Sequence, residues 1–187
     1  MKKILSLFFF LITFLSYSQL TTINPDTVCY QTSGSIYQVS NAPGYVYNWT
    51  ILAPGVITAG QGTNQITVDW SAANPGLIVG AVTVDATNAS GCLSAPSVLD
   101  VFIYDVTPTI NALGPFCETD PCVPLTANPA GGVFSGTGVV GGDFCPNVAG
   151  AGGHTITYTY TDGGCTFDAT INVGVSTQPV LSPIQHN

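Results

Sequence analysis

The chain has 187 residues, 45% of them hydrophobic and only 6% charged, with two Lys/Arg against ten Asp/Glu and a formal net charge of −8. Both cations, Lys2 and Lys3, lie at the N-terminus, so removing that segment takes the charge from −8 to −10 and leaves no Lys or Arg. Such a chain cannot neutralise phosphates, which excludes nucleic acid and anionic membrane surfaces as partners. Stability must then rest on apolar burial, sheet hydrogen bonds and disulfides.

Residues 1–18 read as a signal peptide. Lys2 and Lys3 form a charged start, Ile4 to Leu15 an apolar run, and Ser16-Tyr17-Ser18 a small-residue cleavage site. The apolar run falls short of the ~20 residues that a membrane span needs. No cysteine follows it directly, which argues against a lipid anchor. The expected product is a secreted chain beginning at Gln19, with no membrane span after cleavage.

Residues 19–106 read as a first domain of short strands: Ser35 to Val39, Tyr45 to Leu52, Val56 to Ala59, Gln65 to Trp70, Leu77 to Ala86, and a strand through Val98 to Ile103. Asn-Ala-Pro-Gly, Ala-Pro-Gly and Gly-Gln-Gly turns punctuate them. Val82, Val84 and Ala86 alternate with Thr83, Asp85 and Thr87, the period of a half-buried strand. No segment holds a helical period beyond one turn. Tyr47-Asn48-Trp49, Pro54-Gly55, Gly60-Gln61-Gly62, Ile66-Thr67-Val68-Asp69-Trp70 and Gly91-Cys92 together resemble the PKD-like repeat of bacterial cell-surface proteins. That resemblance implies an immunoglobulin-like sandwich used as a spacer or adhesive module.

Only Thr107-Pro108 separates this domain from a second, at 107–175, so the linker is short and the pair is expected to be stiff. Its clearest stretch is Gly153 to Val173. Ile156, Tyr158 and Tyr160 alternate with threonines, Asp162-Gly163-Gly164 makes a turn, and Phe167, Ala169, Ile171 and Val173 alternate with polar residues. This hairpin is expected to close one sheet. Pro129 to Gly136, Gly150 to Gly153 and the hairpin resemble the Ig-like repeats of secreted proteins in gliding bacteria. Those proteins often use the type IX export route, although its usual C-terminal sorting domains are not recognisable here. The fold expected is all-β, two tandem immunoglobulin-like (PKD-like) β-sandwiches, disulfide-braced. Residues 176–187 form an extended tail, which Pro179 and Pro183 keep from becoming helical while Val180, Leu181 and Ile184 make it apolar.

Six cysteines in an exported chain imply three disulfides, out of 15 possible pairings. Each half carries a Gly-Cys at its final hairpin and a lone earlier cysteine, a degenerate internal repeat. The repeat suggests Cys29–Cys92 and Cys117–Cys165, leaving Cys122–Cys145 as an extra bridge. Each such bridge contributes about 3–4 kcal/mol in the chain-entropy model. A Cys₄ metal site is the rival reading, disfavoured because no C-x-x-C knuckle occurs.

Chemistry-bearing motifs are sparse. Gly136-Thr137-Gly138-Val139-Val140-Gly141 matches GxGxxG, yet Gly142-Asp143-Phe144-Cys145-Pro146 cannot supply the helix that a dinucleotide site requires. Trp49 and Trp70 could form a sugar platform, but both continue inward faces and read as core. His154 and His186 have no Ser or Cys beside a buried acid, so no catalytic residue is assigned. Asp100, Asp105, Asp143 and Asp162 could hold calcium, but lack DxDxD spacing and read as solvated. No metal or other cofactor is therefore expected. Asn48-Trp49-Thr50 and Asn88-Ala89-Ser90 are sequons, discounted because the signal segment and the family resemblance imply a bacterial source, and Asp26-Thr27-Val28 resembles an O-glycosylation motif of gliding bacteria.

The function expected is that of a secreted, non-catalytic structural or adhesive surface protein. It would be a filament or surface-layer subunit assembled by β-strand addition through Val180, Leu181 and Ile184. Its partners would be further copies of itself or other cell-surface proteins. The alternative is a glycan- or calcium-binding adhesin module.

Overall fold

The structure, a computed structural model, describes residues 20–21 and 24–186. The expected signal peptide lies outside the described residues, as do Thr22 and Ile23. The described chain is all-β apart from one four-residue helix, and it forms two compact units of packed sheets. The first comprises the described part of Met1–Asp26 with Gln31–Ala73 and Leu77–Phe102. The second comprises Thr27–Tyr30, Asn74–Gly76 and the described part of Ile103–Asn187.

The first eight strands are β1 (Leu20–Thr21), β2 (Asp26–Cys29), β3 (Ser35–Gln38), β4 (Val46–Ile51), β5 (Val56–Ala59), β6 (Gln65–Asp69), β7 (Gly76–Thr87) and β8 (Ser97–Tyr104). One sheet runs β1-β8-β7-β4 with β2 also on β8, and a second runs β3-β6-β5. β1 pairs parallel to β8 and β4 antiparallel to β7. The alternation seen in the sequence decides what is buried. Tyr47 and Trp49 of β4, Ile66 and Val68 of β6 and Val82 and Val84 of β7 fill the core, while Val46, Asn48 and Thr50 face water. Trp70, just past β6, is fully buried, and its indole N–H donates to the Tyr37 hydroxyl at 3.0 Å.

The later strands are β9 (Thr109–Ile110), β10 (Phe116–Cys117), β11 (Val123–Pro124), β12 (Ala127–Asn128), β13 (Val133–Gly136), β14 (Val139–Val140), β15 (Asp143–Phe144), β16 (Gly152–Asp162) and β17 (Cys165–Ser176), with helix α1 (Pro146–Ala149) before β16. Their main sheet runs β10-β17-β16-β13, beside the smaller β11-β15-β14 and β12-β9. The hairpin expected to close a sheet is the centre of this one. β16 and β17 pair from Gly152↔Val175 to Asp162↔Cys165. Gly163 (φ 57°) and Gly164 (φ 81°) supply the two positive-φ residues of a tight hairpin whose twist matches its strands. Ile156, Val173, Val175, Phe144 and Leu125 form the buried cluster, with Phe116 and Phe134 packed against it.

The disulfides depart from the repeat. Cys29 bonds Cys165, with Cα atoms 5.5 Å apart, and Cys122 bonds Cys145. Cys92 and Cys117 are exposed free thiols. The expected pairs Cys29–Cys92 and Cys117–Cys165 are thus corrected, and register explains why. Cys117 lies opposite Ser176 at one end of β17, while Cys165 begins the strand. That length of strand, at ~3.3 Å per residue, keeps them about 36 Å apart, far beyond the reach of a cystine. Cys29 instead ends β2, where Tyr30 donates its N–H to the Tyr104 carbonyl at 2.8 Å. Gly163, beside Cys165, would bring an added Cβ within 3.5 Å of the Tyr104 ring, so both sulfurs converge there. Cys92 sits in the turn before β8, held by the Asn88 side chain, which accepts N–H bonds from Ser90 and Cys92. Alkylation without reductant, read by mass spectrometry, is expected to label Cys92 and Cys117 alone. A Cys29–Cys92 linked peptide would contradict this pairing.

Candidate functional site

The residues singled out in the sequence do not converge on a reactive centre. Trp49 and Trp70 are 4% and 0% exposed, which places both in the core. The indole N–H of Trp49 donates to the Thr63 carbonyl at 2.8 Å. Asp100 accepts the Gly80 N–H at 2.7 Å, at a point within β7 where φ is positive (66°). Asp162 accepts the Tyr104 hydroxyl and the Gly163 N–H, whereas Asp105 and Asp143 are exposed. Among the described residues no three or more His, Cys, Asp or Glu gather as a metal site would require. His154 bonds the Gly150 carbonyl through Nε2 at 2.8 Å, and His186 lies exposed in the tail. Asn48 donates to Asp85 at 3.2 Å, and Asp26 accepts the Tyr37 hydroxyl at 3.0 Å.

The GxGxxG stretch has a packing explanation. A Cβ on Gly136 would lie 2.5 Å from the Thr155 carbonyl, and one on Gly138 would lie 2.6 Å from the Ala149 Cβ. These glycines let β13 and β14 approach β16 and α1 closely, and α1 has only four residues. A hollow of about 280 Å³ in the first unit is lined partly by Tyr47, Asp85 and Ser94. All three already bond within the protein: Tyr47 to Ser40 and Ala42, Asp85 to Asn48, Ser94 to Ala86 and Ala95. Little polar capacity remains there to orient a ligand.

What the residues do build is a set of strand edges and one unpaired segment. An edge strand presents unpaired N–H and C=O groups that can template pairing with another chain. Lysine commonly guards such edges, and the only lysines here are Lys2 and Lys3. At β4 the guard is Gln61. Its side-chain oxygen accepts the Trp49 N–H at 3.0 Å, and its side-chain nitrogen donates to the Trp49 carbonyl at 2.8 Å. One amide thus takes the place of a neighbouring strand, and the Gly62 carbonyl accepts the Tyr47 N–H beside it. No periodicity signals this role. The hint in the sequence is a glutamine between two turn glycines.

Other edges are short or irregular. β3 and β13 have four residues each, and β5 carries a register shift between Ile57 and Ala59. In the second unit Tyr158 pins the loop before β13: its hydroxyl donates to the Pro129 carbonyl at 2.6 Å and accepts the Gly132 N–H at 2.7 Å. β17 differs. It has 12 residues, and on the side away from β16 its strand partner is β10, which covers only Val175 and Ser176. After Ser176 the segment has no regular structure, and Val180, Leu181 and Ile184 are 94%, 90% and 102% exposed.

Two tyrosines are electrostatically marked. Burial, then the Asp26 carboxylate, pushes the Tyr37 phenol well above its usual value. The Tyr104 phenol is pushed up to about 12, chiefly by its hydrogen bond to Asp162. Both act as donors that brace structure. Replacing Gln61 with Ala strands both backbone groups of Trp49 and is expected to cost about 1–3 kcal/mol, read as a lowered urea midpoint. An unchanged midpoint would mean that the clamp contributes nothing.

In overall structure the chain is similar to the fibronectin(III)-like modules of CbhA from Clostridium thermocellum, at 14% identity and a TM-score of 0.37 over 87% of this chain and 95% of that one. It is also similar to human protocadherin-24 EC1-2, at 12% identity and a TM-score of 0.31 over 84% of this chain and 97% of that one. A chimeric titin Z1Z2 functionalised with a KLER peptide from decorin gives 17% identity and a TM-score of 0.32 over 87% and 95% of the two chains. No curated protein matches the chain in sequence. Residues 17–101 match the PKD-like domain family.

Proposed function

We propose that this chain is a non-catalytic adhesive or structural module that acts outside the cell by assembling with further copies of itself. In this reading residues 1–18 are removed on export, the domains divide near residue 106, and residues 176–187 add as a strand to a neighbouring molecule. The observation that carries it is the tail. Three large apolar side chains stand at or near full exposure in an extended segment directly after a long strand. An apolar segment left in water marks an interaction surface, and strand addition is an established way of using one.

Three further facts support the reading. The PKD-like match spans residues 17–101, the stretch whose turn and strand motifs resemble a repeat of bacterial cell-surface proteins. Disulfides persist in oxidising compartments outside the cytosol, and two are formed here. Among the described residues no helix is long and apolar enough to cross a membrane.

Deleting residues 180–187 from the exported protein is expected to leave a folded, monodisperse monomer, whereas the intact protein forms higher species in sedimentation velocity. Assemblies that form unchanged after the deletion would refute the tail's role.

A further inference from the structure

We infer that the acceptor for the tail is the open edge of β17, from Thr166 to Asn172, and that the donated segment of a second copy runs parallel to it. This rests on the assembly reading above and adds to it the partner strand, its direction and its facing. The edge is identified by hydrogen bonding. Glu118 donates its N–H to the Ser176 carbonyl at 2.9 Å, so the backbone groups of Ser176 point away from β16. Direction alternates along a strand, so Asn172, Thr170, Asp168 and Thr166 turn their N–H and C=O groups toward the same side. β10 stops at Val175 and Ser176, and no other described strand pairs with β17 on that edge. Their side chains are exposed, while Phe167, Ala169 and Ile171, on the other face, are only half-buried.

The tail's sequence fits this edge in one orientation. Pro179 and Pro183 lack an N–H, so a donated strand must turn both away from the acceptor. They are four residues apart and therefore share one side of the strand, which leaves Val180, Ser182 and Ile184 to bond β17. In a parallel ladder the residues that bond to an acceptor residue are the neighbours of the one directly opposite it. With prolines and Leu181 opposite Asp168, Thr170 and Asn172, the side chains of Val180 and Ile184 fall on the face of Phe167, Ala169 and Ile171. An antiparallel strand with the same prolines turned outward would put Val180 and Ile184 on the wet, threonine-rich face. The parallel arrangement is also the direction of β10 on β17.

The donor must be another molecule. Pro179 is three positions beyond Ser176, a reach of about 11 Å. To lie parallel, Pro179 would need to start near Asp168, eight residues and about 26 Å back along β17. Charge favours the same occupant. Residues 177–187 contain no Asp or Glu, so this stretch meets an acidic copy without repulsion from side-chain carboxylates of its own.

Cysteine cross-linking in the exported protein tests this, with Cys92 and Cys117 replaced by Ser. An acceptor lacking residues 180–187 and carrying Thr170→Cys, or in turn Asp168→Cys or Asn172→Cys, is mixed with a donor carrying Leu181→Cys or Val180→Cys. Leu181→Cys, directly opposite the edge residues in a parallel ladder, is expected to form a covalent one-to-one heterodimer in high yield with one of the three acceptors. Val180→Cys, on the other face, is expected to give at least tenfold less. The reverse preference would overturn the parallel facing. No cross-link with either donor, while the intact protein still assembles through its tail, would overturn β17 as acceptor and leave the assembly reading standing. If the intact protein does not assemble, both fall together.

Discussion

Backbone amides at the edge of a sheet must find partners, and no Lys or Arg lies among the described residues to guard such an edge. In water an edge can be left wet, but it then invites pairing with any extended chain. The chain meets this constraint in three ways. Gln61 closes β4 with a side-chain amide, shortness and irregularity blunt β3, β5 and β13, and β17, although β9 packs near it, has no strand partner on one side over most of its length. The contrast between the clamped edge and the unpaired one is what the assembly proposal rests on.

The cores allow this because apolar burial is ample and nothing charged is enclosed. Among the described residues no polar or charged residue is buried and no buried side-chain polar atom lacks a partner. The buried aromatics are tied by their polar ends: Trp70 to Tyr37 and Tyr37 to Asp26 in the first unit, Tyr158 to Pro129 and Gly132 in the second. Such tethers satisfy groups that would otherwise oppose burial, and they fix the loops that flank the strands. Cys29–Cys165 and Cys122–Cys145 add covalent closure over sequence separations of 136 and 23 residues.

Much of the strand pattern was legible because it depends on nearest neighbours. The alternation from Thr155 to Thr161, the Gly163-Gly164 turn and the inward run Ile66, Val68, Trp70 need no tertiary information. The cysteine pairs were not legible, since the repeat matched Cys117 with Cys29 and Cys165 with Cys92 and so paired cysteines within each half, while the parallel register of β10 on β17 set Cys117 and Cys165 at opposite ends of a strand. Gln61 was invisible for a related reason. A lone glutamine in a turn acquires meaning only when the turn folds against Trp49. The tail was readable as apolar, but the open edge of β17 is a property of what fails to pair with it, which no local pattern encodes.

Residue-resolved amide hydrogen exchange on the protein lacking residues 180–187 tests the edge account most directly. A slow Trp49 amide beside fast Thr166, Asp168, Thr170 and Asn172 amides is the result predicted by a clamped β4 and an open β17. A fast Trp49 amide, or β17 amides on that edge as slow as those facing β16, would contradict it.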